Sequence, residues 1–406
     1  MRAAFGISKG GFMRELHRPS PAVSFVGRHN SGKTTLLEKV IAELVSRGLN
    51  IGTIKHHGHP DFDIDIPGKD SFRHRAAGSV DSVIVSSGKI ARVTSLDRDL
   101  ECSEIVRCMP DHDLIIVEGY RKSGLDVIEL FRAASDRDVA AAREFCIDAT
   151  IGGVAPQAVV TDMPDVSAVS AAHGIPSFGF EDIDAIATYL ENVYARPKLT
   201  VVVQAGGESR RMGQSKALVG FLGEPMITRI LHRIAPAADE IVVTTNEPDR
   251  LAFLHDIDFG RPLRLASDVY KERGALRGFC TAIAAARTPL VALVACDMVY
   301  ASPSLIIAEA ATLHAERKDA VVPVTRFGLE PFHAVYRKDA CLDATREIVE
   351  HGSVRMVDVF DRLDARFYSR EETRAAAPDG GCFINVNTPD ELAHIESSIL
   401  GDGDRG

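Results

Sequence analysis

Residues 22–41 read AVSFVGRHNSGKTTLLEKVI, and this stretch decides the fold of the first half of the chain. The short apolar run Ala22–Val26 predicts a buried strand. Apolar residues recur at helical spacing from Thr34 until Gly48, which predicts a helix that ends at that glycine. A strand, a glycine-rich loop and a helix in this order are typical of an α/β fold that binds phosphate at the helix N-terminus.

The loop between strand and helix has the spacing G-x-x-x-x-G-K-[ST]. Its glycines let backbone N–H groups point at phosphate oxygens, its lysine reaches the β- and γ-phosphates, and its threonine hydroxyl binds Mg²⁺. The alternative is an accidental glycine-rich turn. The residues predicted to bind the nucleotide are Gly27, Asn30, Ser31, Gly32, Lys33 and Thr34.

Charged residues farther along the first half suggest more of this site. Glu118 follows the apolar run 114–117 and is predicted to act as a Walker-B-type carboxylate near Mg²⁺, with a surface carboxylate as the alternative. Asp162, after the strand 158–160, is a candidate for guanine recognition or a simple turn residue. The loop with His56, His57 and His59 suits anion contact, metal binding or plain solvation.

The segment 61–75 is dense in charge and precedes another predicted helix. As a switch-like segment it would place Asp63 and Asp65 near Mg²⁺, and Lys69, Arg73 and Arg75 near phosphate. The alternative is an exposed loop.

A second strand–loop–helix series begins after a proline-containing linker near residue 197. The strand 199–203 leads into Gln204-Ala205-Gly206-Gly207, and Arg211 and Lys216 follow within the same loop. The glycines permit close approach of a triphosphate, and the two cations suit the charge that develops at an α-phosphorus during nucleotidyl transfer.

Other polar residues at predicted strand ends complete this second site. Asp297 follows the buried run Leu290–Ala295 and is predicted to bind Mg²⁺, with helix capping as the alternative. Asp268, Thr244 and Asn246 are candidates for the base pocket, or else loop residues. Candidates for contact with an acceptor phosphate are Arg355, Asn385 and Asn387, although Thr388 also fits as the cap of a helix that starts at Pro389.

Composition limits the function classes. The chain has 406 residues, 45% apolar and 26% charged, with a formal net charge of −10, so general binding to nucleic acid or to an anionic membrane is not expected. Seven dispersed cysteines argue against a disulfide framework. No long apolar run or secretory signal is apparent, and a cytoplasmic location is expected.

The domain prediction is an N-terminal extension (1–20), a P-loop GTP-binding domain (21–196) and a nucleotidyltransferase domain (197–406). The fold class predicted is α/β, with two layered α/β/α domains: a P-loop NTPase domain followed by a Rossmann-like domain.

The first half resembles the molybdopterin-guanine dinucleotide biosynthesis adaptor family, the MobB type. The P-loop, the Ile-Lys-His-His segment, the Gly-Lys-Asp-Ser-x-Arg-His-Arg run and Val-Glu-Gly together carry the resemblance, over about residues 21–194. It implies GTP binding, weak GTP hydrolysis and assistance to a guanylyltransferase.

The second half resembles molybdenum cofactor guanylyltransferase, the MobA type, over about residues 198–400. This resemblance implies that GTP and molybdopterin or Mo-molybdopterin are substrates, and that Mg²⁺ is the cofactor. It assigns Gln204, Ala205, Gly206 and Lys216 to GTP, Asp268 to the base and Asp297 to the metal. Partners implied are molybdoenzyme apo-proteins and the molybdenum insertion protein.

The second half also departs from that family. Gln204 stands where leucine is usual, and Thr244 stands where asparagine is common. The usual segment Gly-Pro-Leu-Ala-Gly reads Gly-Ala-Leu-Arg-Gly here, so that Arg277 replaces its alanine, and Val299 replaces a proline. These departures affect residue roles and the choice of nucleotide more than the class of reaction. We predict GMP transfer to molybdopterin, and two alternatives stay open. One is a cytidylyltransferase of the same fold, and the other is a nucleotide-gated scaffold that delivers the cofactor to apo-enzymes.

Overall fold

A computed structural model describes residues 16–57, 66–206, 215–267, 274–350 and 355–403. The chain divides into two compact units, Met1–Arg196 (unit 1) and Pro197–Gly406 (unit 2). Arg211, Gly207 and Asp268 of the predicted second site lie outside the described residues, as do His59, Asp63 and Asp65 of the first half.

Unit 1 alternates strands and helices along most of its length. The strands are β1 (Ala22–Val26), β2 (Ile51–Lys55), β3 (Asp81–Ser86), β4 (Lys89–Thr94), β5 (Leu114–Glu118), β6 (Val127–Phe131), β7 (Ala158–Thr161) and β8 (Ser177–Phe178). The helices are α1 (Lys33–Ser46), α2 (Asp70–Ala76), α3 (Cys102–Arg107), α4 (Asp136–Asp148), α5 (Pro164–Ala172) and α6 (Ile183–Val193).

The main sheet of unit 1 has the order β2-β5-β1-β6-β7-β8, and its neighbouring strands are parallel. Its central strands are continuous apolar runs because helices cover both faces. Helices α1 and α6 pack on one face, and α3, α4 and α5 contribute to the clusters on the other. The carboxyl ends of β1 and β5 therefore place the P-loop and Glu118 at one edge of the sheet.

A separate antiparallel hairpin, β3–β4, interrupts this alternation. Its side chains are mostly exposed, including Val83 and Ile84. This hairpin was not predicted from the sequence. Its two strands form a sheet of their own, outside the alternation of strands and helices on which the prediction was based.

Unit 2 contains a second series. Its strands are β9 (Leu199–Gln204), β10 (Gly220–Phe221), β11 (Glu224–Pro225), β12 (Glu240–Thr244), β13 (Leu263–Ala266), β14 (Leu290–Ala295), β15 (Ala320–Thr325), β16 (Gly328–Leu329), β17 (His333–Arg337) and β18 (Ala365–Tyr368). Its α-helices are α7 (Met226–Ile234), α8 (Ala275–Ala285), α9 (Pro303–Ala315), α10 (Lys338–Glu350), α11 (Arg370–Ala376) and α12 (Pro389–Gly403). Short 3₁₀ segments cover Lys216–Leu218, Ala235–Ala237, Pro248–Asp256 and Met356–Asp361.

The large sheet of unit 2 has the order β13-β12-β9-β14-β17-β15-β16, with β18 paired to β15. Strands β13, β12, β9 and β14 are parallel, so their carboxyl ends meet at one edge. Strand β17 runs antiparallel between β14 and β15. Helices α7 and α9 pack on one face, and α8 and α10 pack on the other.

The α/β fold class is confirmed, since both units have a sheet between two helical layers. The predicted strands 114–117, 199–203 and 241–243 each extend by one or two residues. None of the helices in the described parts of the chain is long and apolar enough to cross a membrane.

Candidate functional sites

The P-loop of unit 1 is closely fitted to its surroundings. A Cβ on Gly27 would lie 2.8 Å from Ser31 Oγ and 3.0 Å from Leu130 Cβ, distances that permit only glycine without a shift. Gly32 has φ +82° at the N-terminus of α1, in the left-handed region that favours glycine. Asn30 also has positive φ, 63°. These angles curl the backbone ahead of the helix, as a phosphate-binding loop requires.

Lys33 lies across the mouth of this loop. Its Nζ donates hydrogen bonds to the carbonyl oxygens of Gly27 (2.8 Å) and Arg28 (2.7 Å), and to Ser31 Oγ (3.2 Å). Burial lowers the pKa of Lys33, and nearby carboxylates, Glu118 first, act in the opposite direction. The ammonium thus stands where phosphate oxygens would replace backbone carbonyls as its acceptors.

Thr34 and Glu118 meet beside Lys33. Thr34 Oγ1 donates to Glu118 Oε1 at 3.0 Å, and Lys55 Nζ lies 3.4 Å from the same oxygen. A hydroxyl and a carboxylate in contact are hard oxygen ligands of the kind that Mg²⁺ prefers. The structure therefore brings together the two residues that the sequence suggested for a metal.

The remaining candidates of unit 1 fall into several places. The rings of His56 and Tyr120 lie in contact, with centroids 4.2 Å apart and their planes tilted by 46°. Asp162 Oδ1 accepts a hydrogen bond from the Ala133 N–H at 2.6 Å, so part of its carboxylate ties two loops together. Lys69 precedes α2, which carries Arg73 and Arg75. Among the described residues, no group of three or more His, Cys, Asp or Glu side chains suits a metal ion.

The site of unit 2 is built on the carboxyl ends of three parallel strands. Gln204 ends β9 and lies opposite Thr244 of β12 and Ala295 of β14. The Ala205 N–H donates to the Thr244 carbonyl at 2.8 Å, and the Cys296 N–H donates to the Gln204 carbonyl at 3.2 Å. These bonds hold the start of the glycine loop beside the residue that precedes Asp297.

Lys216, Asp297 and Asn387 form a compact polar cluster at this edge. Lys216 Nζ donates to Asp297 Oδ2 at 2.8 Å and to Asn387 Oδ1 at 2.7 Å. The Lys216 and Asp297 side chains are 18% and 19% exposed. Residues far apart in sequence thus direct two oxygens at one positive charge.

The turn that carries Asp297 is fixed at both ends. The Asp297 carbonyl accepts from the Val386 N–H at 3.0 Å. At its far end, the Ser302 N–H donates to His333 Nε2 at 2.9 Å, and Ser302 Oγ caps α9. The helix-cap alternative for Asp297 is therefore wrong, because Ser302 occupies that position.

Asn387 is fixed by the start of α12. Glu391 accepts from the N–H groups of Asn387 (2.7 Å) and Thr388 (3.2 Å), and Thr388 Oγ1 accepts from the Glu391 N–H. This is a capping box, so Thr388 caps the helix while Asn387 faces Lys216. The predicted cap is therefore present, and the contact of Asn387 with an acceptor phosphate stays a prediction.

Other predicted residues of unit 2 lie around this cluster or apart from it. Thr244 ends β12 and is only 3% exposed. Asn246 and Asn385 are exposed. Arg355 is 74% exposed and begins a 3₁₀ segment that packs with α8 and α10.

Three neighbours of the predicted site residues were missed from sequence. Glu391 accepts from Asn387 at the start of α12, His333 accepts from Ser302 at the end of the Asp297 turn, and Glu129 pairs with two arginines near the P-loop. A charged residue within the apolar strand β6 was a usable signal for Glu129, and the pattern Thr388-x-x-Glu391 was one for the capping box. His333 gave no such signal.

Comparison with known families finds a different family in each unit. The sequence model described as "Molybdopterin guanine dinucleotide synthesis protein B" matches residues 22–151. The one described as "MobA-like NTP transferase domain" matches residues 201–366.

Individual relatives match one half or the other. A probable molybdenum cofactor guanylyltransferase of Natronomonas pharaonis is 33% identical over 205 residues, covering 49% of this chain and 98% of that protein. The molybdenum cofactor guanylyltransferase of Desulfosudis oleivorans is 31% identical over 202 residues, covering 50% and 96%. The molybdopterin-guanine dinucleotide biosynthesis adapter protein of Escherichia coli K12 is 38% identical over 116 residues, covering 28% and 66%.

Proposed function

Since the second half of this chain belongs to the molybdenum cofactor guanylyltransferase family, we propose that unit 2 transfers GMP from GTP to the phosphate of molybdopterin or Mo-molybdopterin. The products are the guanine dinucleotide form of the cofactor and pyrophosphate. The observation that carries this proposal is the convergence of Lys216, Asp297 and Asn387 beside the glycine loop that begins at Gln204.

The cluster also suits a divalent cation, which we propose is Mg²⁺. Asp297 Oδ2 and Asn387 Oδ1 both point at the Lys216 ammonium, so two oxygen ligands already converge on a positive charge. Carboxylate and amide oxygens are the ligands that Mg²⁺ accepts. When bound, Mg²⁺ would offset the charge of the triphosphate and of the departing pyrophosphate.

The chain's own residues position the reaction and neutralise charge. An oxygen of the acceptor phosphate attacks the α-phosphorus of GTP, a new P–O bond forms, and the bond to the bridging oxygen of pyrophosphate breaks. The acceptor is already anionic, so no general base is required. Lys216 turns from Asp297 and Asn387 to the phosphate oxygens, and the backbone at residues 204–206 lies against the triphosphate.

Unit 1 is proposed to bind a second nucleoside triphosphate, GTP, as an adaptor to unit 2. Lys33 would exchange backbone carbonyls for the β- and γ-phosphates, while Thr34 and Glu118 would hold Mg²⁺ directly or through water. Molybdoenzyme apo-proteins and the molybdenum insertion protein are the proposed partners.

The test of synthesis uses the full chain with GTP, Mg²⁺ and molybdopterin, and it measures pyrophosphate release. We expect Asp297→Asn to lower the rate at least about a hundredfold, the scale on which one lost charge-stabilising group reduces a rate. The matched control is Asp364→Asn, because Asp364 pairs with Lys318 at 2.9 Å elsewhere in the same unit. It should leave the rate within about twofold, as exposed ion pairs contribute little.

Two further arms separate the alternatives. CTP in place of GTP should give little pyrophosphate, and equal rates would indicate a cytidylyltransferase. If Asp297→Asn retains wild-type turnover, the assignment of the metal site is wrong. A scaffold without synthesis would give no molybdopterin-dependent pyrophosphate in any version of the chain.

A further inference from the structure

Glu129 is a charged residue in the middle of a buried strand of unit 1. It lies on β6, whose other residues are apolar, and it is 1% exposed. Its Oε1 accepts hydrogen bonds from Arg28 Nη1 at 2.5 Å and from Arg121 Nη2 at 2.6 Å. One carboxylate oxygen is therefore shared by two guanidinium groups, an arrangement that offsets part of the cost of burying the charge.

The two arginines belong to different loops. Arg28 is the second residue of the P-loop, and its backbone N–H also donates to the buried Asp138 Oδ1 at 3.3 Å. Arg121 lies in the segment 119–126 that starts directly after Glu118 and leads from β5 to β6. Glu129 thus joins the phosphate loop to the loop that follows the Walker-B-type carboxylate.

Nucleotide binding would change the hydrogen bonds at both ends of this link. Lys33 donates to the Arg28 carbonyl at 2.7 Å, and it gives up this acceptor when it turns to phosphate. Thr34 donates to Glu118 at 3.0 Å, and it gives up this acceptor when its hydroxyl binds a cation. One exchange releases a bond in the P-loop, and the other releases a bond at the start of segment 119–126.

We propose that Glu129 is a positioning residue that couples these two loops, so that occupation of the P-loop by a nucleoside triphosphate moves segment 119–126 through Arg28 and Arg121. The inference rests on the proposal that unit 1 binds a nucleotide. It adds that the conformation of segment 119–126 depends on whether the P-loop holds a nucleotide.

The experiment uses the absence of tryptophan from this sequence. Lys122→Trp, at an exposed position in segment 119–126, gives the full chain a single tryptophan. Its emission is recorded with a non-hydrolysable GTP analogue and Mg²⁺. Binding is measured in parallel by energy transfer from this tryptophan to a methylanthraniloyl-labelled analogue. Only the part of the transfer that Lys33→Met abolishes is taken as binding to the P-loop.

Arg121→Met removes one guanidinium and leaves Glu129 paired with Arg28, so the fold should survive. We expect the nucleotide-dependent emission change to disappear, while the Kd of the labelled analogue shifts by less than about tenfold, or about 1.4 kcal/mol. Glu129→Gln should give the same loss. The matched control Arg137→Met changes an exposed arginine of α4 and should keep the full emission change.

The outcomes are distinguishable. If the emission change persists at full amplitude in Arg121→Met, or is absent from the reporter protein with analogue bound, Glu129 does not couple the loops. If no version shows Lys33-dependent energy transfer, the nucleotide site itself fails. Should Glu129→Gln not fold, Arg121→Met decides alone.

Discussion

His333 makes the stability of unit 2 depend on pH in a way that can be worked out from its surroundings. The residue is 0% exposed, its Nε2 accepts from the Ser302 N–H, and burial lowers its pKa to about 4. Because Nε2 is the acceptor, the neutral ring is the form that fits. Protonation would place a donor against a donor at the end of the Asp297 turn.

The magnitude follows from linkage between protonation and unfolding. The pKa of an unfolded histidine is about 6.5, so the folded value is lower by about 2.5 pH units. Between the two values the unfolded state binds more protons, and stability falls by about 1.4 kcal/mol for each pH unit as the pH decreases. The contribution of His333 is thus intact above pH 6.5 and declines as the pH falls towards 4, by about 3.4 kcal/mol at most.

Urea unfolding of the full chain tests this value. Tyr300→Trp, in the half-buried turn between Asp297 and Ser302, supplies a single tryptophan that reports unit 2. From pH 7 to pH 5, the free energy of unfolding should fall by about 2 kcal/mol more in this protein than in the same protein with His333→Gln. Glutamine keeps a hydrogen-bond acceptor but does not titrate. Equal losses in the two proteins would refute the reasoning.

Three further predictions concern separate parts of the chain. Glu309 is fully buried and burial raises its pKa, so its contribution to stability is intact below about pH 4.5 and lost as the pH rises through the folded pKa. Above about pH 4.5, this loss lowers the free energy of unfolding, measured with urea, by about 1.4 kcal/mol per pH unit. Glu309→Gln should remove this pH dependence, and an unchanged pH dependence contradicts the prediction. Gly27→Ala would place its Cβ 2.8 Å from Ser31 Oγ, so overpacking should cost about 1–3 kcal/mol and weaken Lys33-dependent nucleotide binding at least about tenfold. Wild-type affinity would show that the loop relaxes freely. Glu391→Ala removes the acceptor that fixes Asn387, so it should lower the rate of pyrophosphate release and reduce the stability of α12 by about 1 kcal/mol. Unchanged turnover would show that the capping box does not position Asn387.

Several elements of both units could be predicted because their signals are local. Strand β1, the P-loop and α1 are consecutive, and glycine spacing and apolar periodicity specify all three. Asp297 was found in the same way, as a carboxylate at the end of the continuous apolar strand β14. Such features depend on residues that are close together in the sequence, so a single sequence is enough to predict them.

Contacts across the fold could not be read in this way. Asn387 meets Lys216 because the segment before α12 returns to the turn after β14, where the Val386 N–H donates to the Asp297 carbonyl, and the sequence separates the two residues by most of unit 2. The pairing of Glu129 with Arg28 and Arg121 depends likewise on β6 lying next to β1. The direction of strand β17, which begins at His333, could not be predicted, because an apolar run does not show whether a strand is parallel or antiparallel to its neighbours.

In both units the lysine is hydrogen-bonded to other protein groups at the position where we propose that a triphosphate binds. Lys33 rests on neutral carbonyls of its own loop, whereas Lys216 rests on the charged carboxylate of Asp297. Under the proposed function, Lys216 would exchange Asp297 for phosphate oxygens, and its charge-assisted bond to Asp297 opposes that exchange more strongly than neutral carbonyls oppose it at Lys33. Joint binding of the nucleotide and a cation would offset that cost, because the phosphates would accept from the ammonium while Asp297 would hold the cation. In a chain with a net charge of −10, such an exchange would provide positive charge at the triphosphate through a group that is already held at the site.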